Sequence, residues 1–130
     1  MSRPPAEYVV RVTFRLEPNT GRIDPQRFQT TVAWPAPTPG EEGWLWFRNH
    51  LWRGELTATG PVRERAARTL DVAHIEQISF SELQTTESYL DALYEKIETR
   101  LDDPDRPFKS ATSIEAVIRN YFGSSIRVRS

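Results

Sequence analysis

Two stretches near the start of the chain place apolar residues at every second position. This is the pattern of a β-strand with one buried and one solvent-facing side. The first places apolar side chains at every second position from Tyr8 to Leu16, and the second runs from Phe28 to Trp34 with Val32 between them. The segment that separates them contains prolines, an asparagine and a glycine, which favour a turn. These patterns predict a long-looped hairpin, so the fold must be built around a sheet.

The remainder of the chain is predicted to add helices and further strands. Prolines between residues 35 and 39 form an extended connection, and a capping-box pattern at residues 112–115 predicts the start of the last helix, which closes at Gly123. The predicted helices cover residues 44–53, 61–70, 86–101 and 112–122, and the predicted strands cover 74–83 and 125–129. We therefore expect one α+β domain across residues 1–130, with 1–6 flexible. Its sheet has about four strands, antiparallel or mixed, with about four helices packed on one face.

Residues 44–55 hold three of the four tryptophans, two arginines and one of the two histidines. As a helix, this segment has one broad apolar face and one polar face. The apolar face carries Trp44, Leu45, Phe47, Leu51 and Trp52, and the polar face carries Trp46, Asn49, His50 and Arg53. Arg48 projects into the apolar face, where an unpaired charge is costly, so we expect a structural ion pair. An anionic ligand, or a stem that extends to water, would serve the same need.

Trp46 and Arg53 are secondary candidates for a binding site. An exposed indole beside a guanidinium can stack on a base or dock a partner. The alternative is that another part of the fold covers Trp46.

The polar sides of the first, second and last strands would gather five arginines among threonines and a glutamine if these strands share a sheet. They are Arg11, Arg15, Arg27, Arg127 and Arg129. We expect Arg11, Arg15, Arg127 and Arg129 to form a surface that binds an anionic partner, either nucleic acid or an acidic protein segment. A solvated or internally paired arginine face is the alternative. The strand aromatics fall on the opposite side, unlike the exposed stacking platforms of RNA-binding sheets.

Few residues in this chain could support catalysis. The sequence has no cysteine, so thiolate metal sites and cysteine nucleophiles are excluded, and the two histidines lack a metal-ligand spacing. No glycine pattern matches a nucleotide-binding fingerprint, so no cofactor or metal is predicted. We favour a non-catalytic binding module over two alternatives. One is a small enzyme that uses His50 with Glu55 or another carboxylate, and the other is an oligomeric structural protein with an apolar patch around Trp46.

The absence of a long apolar run and of a signal-peptide pattern leads us to expect a cytoplasmic protein with no membrane partner. The patterns leave the oligomeric state open.

Several segments resemble the LWR-salt family, a group of small haloarchaeal proteins. They are Leu51-Trp52-Arg53-Gly54-Glu55, the C-terminal run from Tyr121 to Val128, the opening strand from Tyr8 to Leu16, and Tyr89-Leu90-Asp91-Ala92-Leu93. The resemblance extends along nearly the whole chain and implies a cytoplasmic protein of salt-loving archaea. It supplies no activity, substrate, cofactor or catalytic residue. Proteins of such cells usually carry a large acidic excess, whereas the net charge here is −1. This departure indicates either that the cytoplasm of the source cell is not of high salt or that the basic region is retained for a use. The basic region is residues 1–70, with ten arginines against seven acidic residues.

Overall fold

The structure is a computed structural model, and it describes residues 4–16, 26–103, 107–108 and 111–129. The predicted loop at 17–25 and the predicted flexible residues 1–3 lie outside these ranges. The elements are, in chain order, β1 (Ala6–Leu16), β2 (Gln26–Pro35), α1 (Trp46–His50), β3 (Leu51–Trp52), β4 (Glu55–Leu56), α2 (Gly60–Leu70), β5 (Ile75–Thr85), α3 (Glu87–Leu101), α4 (Ile114–Phe122) and β6 (Ile126–Val128). The first strand already begins at Ala6, which is fully buried.

The main sheet has four strands in the order β2-β1-β5-β6. Strand β1 pairs antiparallel with both β2 and β5, and β6 pairs parallel with β5, so the sheet is mixed. The registers place Arg11 of β1 between Thr31 of β2 and Ser79 of β5. The predicted N-terminal hairpin and the α+β class with a sheet of about four strands are confirmed.

The core lies between one face of this sheet and the helices. Alternate residues of β1 point into it because successive side chains of a strand face opposite ways, and Tyr8, Val10 and Val12 are all buried. The helices contribute buried side chains such as Leu93 and Val117 to the same cluster. We call this the inner face of the sheet and the opposite side the outer face.

The tryptophan-rich segment departs from the predicted helix over residues 44–53. Helix α1 has only five residues, and β3 and β4 follow it as a short hairpin. Gly54 permits this turn, since Arg53 and Gly54 both have positive φ, 53° and 81°, as a two-residue hairpin turn of type I′ requires. Trp44, Phe47 and Leu51 are buried as expected. Trp52, which is predicted to lie on the same apolar face, is 38% exposed instead.

The last helix, α4, has a local cap at its N-terminus and a tertiary cap at its C-terminus. The Ser113 hydroxyl accepts the Ala116 backbone N–H at 3.1 Å, so the cap lies one residue after Thr112, where the predicted box begins. At the other end, the Arg53 and Gly54 backbone N–H groups donate to the carbonyls of Asn120 and Tyr121 at 2.6 and 2.9 Å. The β3–β4 turn therefore satisfies two of the carbonyls that a helix leaves unpaired at its C-terminus.

Candidate functional site

The outer face of the sheet is open to solvent across its centre. Strand alternation and the strand registers place polar side chains from β1, β2, β5 and β6 on this face. They include Arg11, Thr13 and Arg15 of β1, Arg27, Gln29 and Thr31 of β2, Gln77 and Ser79 of β5, and Arg127 of β6. Most of these residues are exposed, whereas Thr13 is 7% exposed between its neighbours. The strands that were expected to gather arginines do share one sheet face.

A depression of about 450 Å³ lies on this face between β1 and β2. Residues of the two paired strands line it: Arg11, Val12, Thr13, Gln29, Thr30 and Thr31. The side chains that reach the outer face here are a guanidinium, an amide and two hydroxyls, all of which can donate hydrogen bonds. Arg11 is exposed and forms no ion pair within the described parts of the chain. The depression can therefore accept an anionic group.

Arg15 is not free in the same way as Arg11. Its Nε lies 2.9 Å from Glu76 Oε1, and Nε of Arg27 lies 2.9 Å from Glu76 Oε2. One carboxylate of β5 thus bridges arginines of β1 and β2, which leaves this triad with a net charge of +1. Each arginine still has N–H groups beyond its Nε. Arg15 can therefore contact a ligand through its other N–H groups, but its charge is partly neutralised by Glu76, which it shares with Arg27.

Arg129 is held inside the fold. Its Nη2 donates to the Pro4 carbonyl at 2.5 Å, its Nη1 lies 3.7 Å from Glu7 Oε1, and its side chain is 16% exposed. Arg127, by contrast, is exposed on β6 opposite Gln84. Of the four arginines predicted to form the binding surface, Arg11 and Arg127 are open, whereas Arg15 and Arg129 have carboxylate partners. Arg127 lies about 13 Å further along the strand direction than Arg11, so the two do not form one cluster.

Trp46 lies on the other side of the sheet. Its ring is stacked on that of His50, with 4.4 Å between the ring centres, and its other neighbour is the tilted ring of Tyr8, at 4.5 Å. Tyr8 is an inner-face residue of β1, and burial raises the pKa of its phenol well above the ordinary value. Tyr8 of the sheet and His50 of the same helix therefore cover part of Trp46, which is half-buried.

Arg48 and Arg53 also belong to the helical layer. The Arg48 guanidinium donates from Nε and Nη2 to Asn49 Oδ1 at 3.2 and 3.1 Å, so its observed partner is an amide rather than the expected carboxylate. The Arg53 guanidinium lies 5.8 Å from the ring centre of Trp52, which itself packs edge-on against Tyr121. The predicted site residues thus fall into two groups on opposite sides of the sheet.

The surroundings of His50 bear on the alternative of an enzyme. His50 lines a depression of about 420 Å³ that also has Glu41, Glu42 and Arg48 in its wall. Its Nδ1 is 2.9 Å from the Trp46 carbonyl, and its ring is stacked on Trp46. No described carboxylate, Glu55 included, forms an ion pair with His50. Glu41 and Glu42 are the carboxylates that share this depression with His50.

Three further findings concern the parts of the chain that the structure describes. They contain no group of three or more histidine or acidic residues arranged to hold a metal ion. None of their helices combines the length and the apolar character needed to cross a membrane. Their exposed large apolar residues, Leu16, Phe28, Trp52 and Val128, do not include Trp46.

Sequence reasoning missed Glu76 as a member of the outer face. The strand that contains it alternates less cleanly than β1, and the register of β1 against β5 shifts between Thr13 and Phe14. Such an irregularity changes which side chains reach a given face, and no local pattern reveals it. The threonines and the glutamine beside Arg11, in contrast, follow directly from the alternation.

Comparison with known proteins gives one positive result. A protein-family model described as LWR-salt protein matches residues 4–130. No curated protein and no solved structure matches the chain. The chain belongs to the LWR-salt family, as its sequence motifs predict.

Proposed function

We propose that this LWR-salt protein is a non-catalytic binding module that holds an anionic partner on the outer face of its sheet, with Arg11 as the main contact. One observation carries the proposal. The exposed Arg11 guanidinium borders a depression whose other outward-facing groups are Thr13, Gln29 and Thr31, and it has no acidic partner in the described chain. An arginine placed among uncharged donors suits a carboxylate or a phosphate, because its planar fork binds either group with two hydrogen bonds.

An acidic protein segment fits this face better than nucleic acid does. Proteins that bind single strands use aromatic rings to stack on the bases. On the described strands, the aromatic side chains of β1 and β2 lie on the inner face, where Phe14 stacks on Phe28 and Trp34 is buried. Around Arg11, the outer face therefore offers a cation and hydrogen-bond donors without a stacking platform.

We also propose that the protein acts in the cytoplasm of a salt-loving archaeon. The chain uses fifteen arginines and two lysines, and a scarcity of lysine accords with such a source. In molar salt the screening length falls to about 3 Å, so charges attract only across direct contacts. A guanidinium that touches its ligand directly, at the border of a depression, is the kind of group that still works under these conditions.

The test compares binding of a fluorescent oligoglutamate peptide and of an oligothymidine of matched length to the wild-type protein in molar potassium chloride. We expect the peptide to bind more tightly than the oligonucleotide. Arg11→Glu should weaken peptide binding by at least about tenfold, because it replaces a charge-assisted hydrogen bond with a repulsion. The measurement is fluorescence anisotropy, with circular dichroism to verify that each variant is folded.

Arg63→Glu is the matched control. Arg63 is exposed on α2, on the side of the sheet that carries the helices, and the substitution changes the net charge by the same amount. Equal losses in the two variants would show a general charge effect and would contradict a site at Arg11. Tighter binding of the oligonucleotide, lost in Arg11→Glu, would replace the acidic segment with nucleic acid as the partner.

A further inference from the structure

Strand β2 forms one edge of the sheet, and its far side is unpaired in the described chain. It is ten residues long, and the first six, Gln26 to Thr31, are all exposed. The opposite edge is formed by β6, which has only three residues. A long edge strand presents a row of free backbone N–H and C=O groups that can pair with another chain.

The middle of β2 lacks the features that usually protect such an edge. Residues 28–33 are Phe, Gln, Thr, Thr, Val and Ala, a segment with no charge and no proline, in which β-favouring residues predominate. The strand has its proline, Pro35, at the very end, and its charged residue, Arg27, near the start. Natural edges are normally blocked by lysine, by proline or by a bulge, and the register of β1 with β2 runs without a shift.

The charge of the outer face can be reached from this edge. An additional strand on β2 would lie roughly 10 Å from β1, two strand spacings away. Strand β2 lies between the additional strand and β1, and there Thr31 is paired with Arg11. Thr31 is small, and both residues line the depression. An acidic side chain on the additional strand, placed next to Thr31, could therefore meet the Arg11 guanidinium across it.

The inner side of the same edge has a different character. Phe28 is 38% exposed there and stacks on Phe14 with 5.6 Å between ring centres. Because side chains of a strand alternate between faces, the segment that fits β2 would carry acidic residues toward Arg11 and apolar residues toward Phe28.

We propose that the anionic partner is an extended polypeptide segment with alternating acidic and apolar residues, which adds to β2 as a fifth strand of the main sheet. This inference rests on the proposed function, and it specifies how the same site would recognise its partner. Backbone pairing along β2 would supply most of the contact, and Arg11 would select for the acidic side chains.

The test uses a peptide of alternating glutamate and valine with the length of β2, together with two N-methylated forms. One form is methylated at every glutamate nitrogen and the other at every valine nitrogen. In a strand, alternate N–H groups point to opposite edges, so each form blocks only one edge. We expect one form to lose binding by more than about tenfold and the other to bind as the parent does.

Amide hydrogen exchange provides the second readout. The parent peptide should slow exchange of backbone amides within residues 26–33 of β2, and it should leave the amides of α2 unchanged. If both methylated forms bind like the parent, strand addition is wrong while binding to the outer face stands. If both methylated forms lose binding and the parent peptide does not slow amide exchange in β2, the inference is overturned. Failure of both the parent and oligoglutamate to bind would instead reject the proposed function itself.

Discussion

Gly54 is the residue of the Leu51-Trp52-Arg53-Gly54-Glu55 segment that packs closely against the end of α4. Its backbone has a φ of 81°, and its N–H donates to the Tyr121 carbonyl at 2.9 Å. A Cβ at this position would lie 2.9 Å from the Phe122 carbonyl oxygen, closer than such atoms can approach. The adjacent Arg53 also has positive φ, which is uncommon for a residue with a side chain. The motif is therefore fixed in place by backbone geometry.

Gly54→Ala should lower the free energy of unfolding by about 2 kcal/mol or more, through strain at positive φ and displacement of α4. The measurement is urea unfolding followed by tryptophan fluorescence. Gly60→Ala is the control, because Gly60 lies in the first turn of α2 with nothing within 4 Å of an added Cβ. It should be neutral or slightly stabilising. Equal stability of the two variants would refute this account of the turn.

Among the secondary-structure elements, three strands are connected by the charge of one residue, Glu76. It bridges Arg15 of β1 and Arg27 of β2 from its position on β5, and its side chain is 28% exposed. Exposed ion pairs contribute little to stability, so this bridge matters more for the charge of the outer face than for holding the strands together.

Glu76→Gln should strengthen binding of the oligoglutamate peptide by about two- to fivefold in low salt, since it releases one unit of positive charge next to the depression. The expected change in unfolding free energy is below about 1 kcal/mol. Glu95→Gln, on an exposed position of α3, changes the net charge equally and should leave binding as it is. Weaker binding after Glu76→Gln would mean that Glu76 orients the arginines for the ligand.

The elements that could be predicted from sequence are those whose pattern repeats. Strands β1 and β2 and helix α3 follow from their periodicity, and the placement of Arg11 among threonines follows from alternation alone. The helix predicted over 44–53 fails because a tertiary contact decides it: the carbonyls of α4, some 70 residues later, accept the N–H groups of Arg53 and Gly54. The same limit applies to the arginines. Which of them find carboxylates depends on the strand registers, including the shift near Phe14.

At the scale of the whole molecule, buried tyrosines set how the fold responds to alkaline pH. The Tyr89 hydroxyl donates to the Pro37 carbonyl at 2.6 Å and connects α3 to the segment after β2. Burial raises the pKa of Tyr89 to about 12, from an ordinary value of 10.0. The unfolded chain therefore loses this proton at lower pH than the folded chain does. The stabilisation is complete below pH 10 and is lost as pH rises toward the folded value.

Tyr89→Phe should accordingly reduce the loss of stability between about pH 10 and pH 12, by up to about 2 kcal/mol. The measurement is the free energy of unfolding as a function of pH for the two proteins. Tyr94→Phe is the control, because Tyr94 is on the same helix and is only partly buried. Parallel curves for wild type and Tyr89→Phe would show that the Tyr89 proton is not linked to folding.

The position of β1 in the middle of the sheet also has a consequence during synthesis. Its neighbour β2 follows within a hairpin, whereas its other neighbour β5 pairs through residues such as Val12 and Ile78, which are 66 positions apart. Until the ribosome has released β5, both β1 and β2 of the nascent hairpin have an unpaired edge. In the complete sheet β5 covers the edge of β1, and only the edge of β2 stays unpaired. Pairings between distant segments form slowly. A chain whose translation stalls before residue 75 is therefore more prone to aggregate than the complete chain.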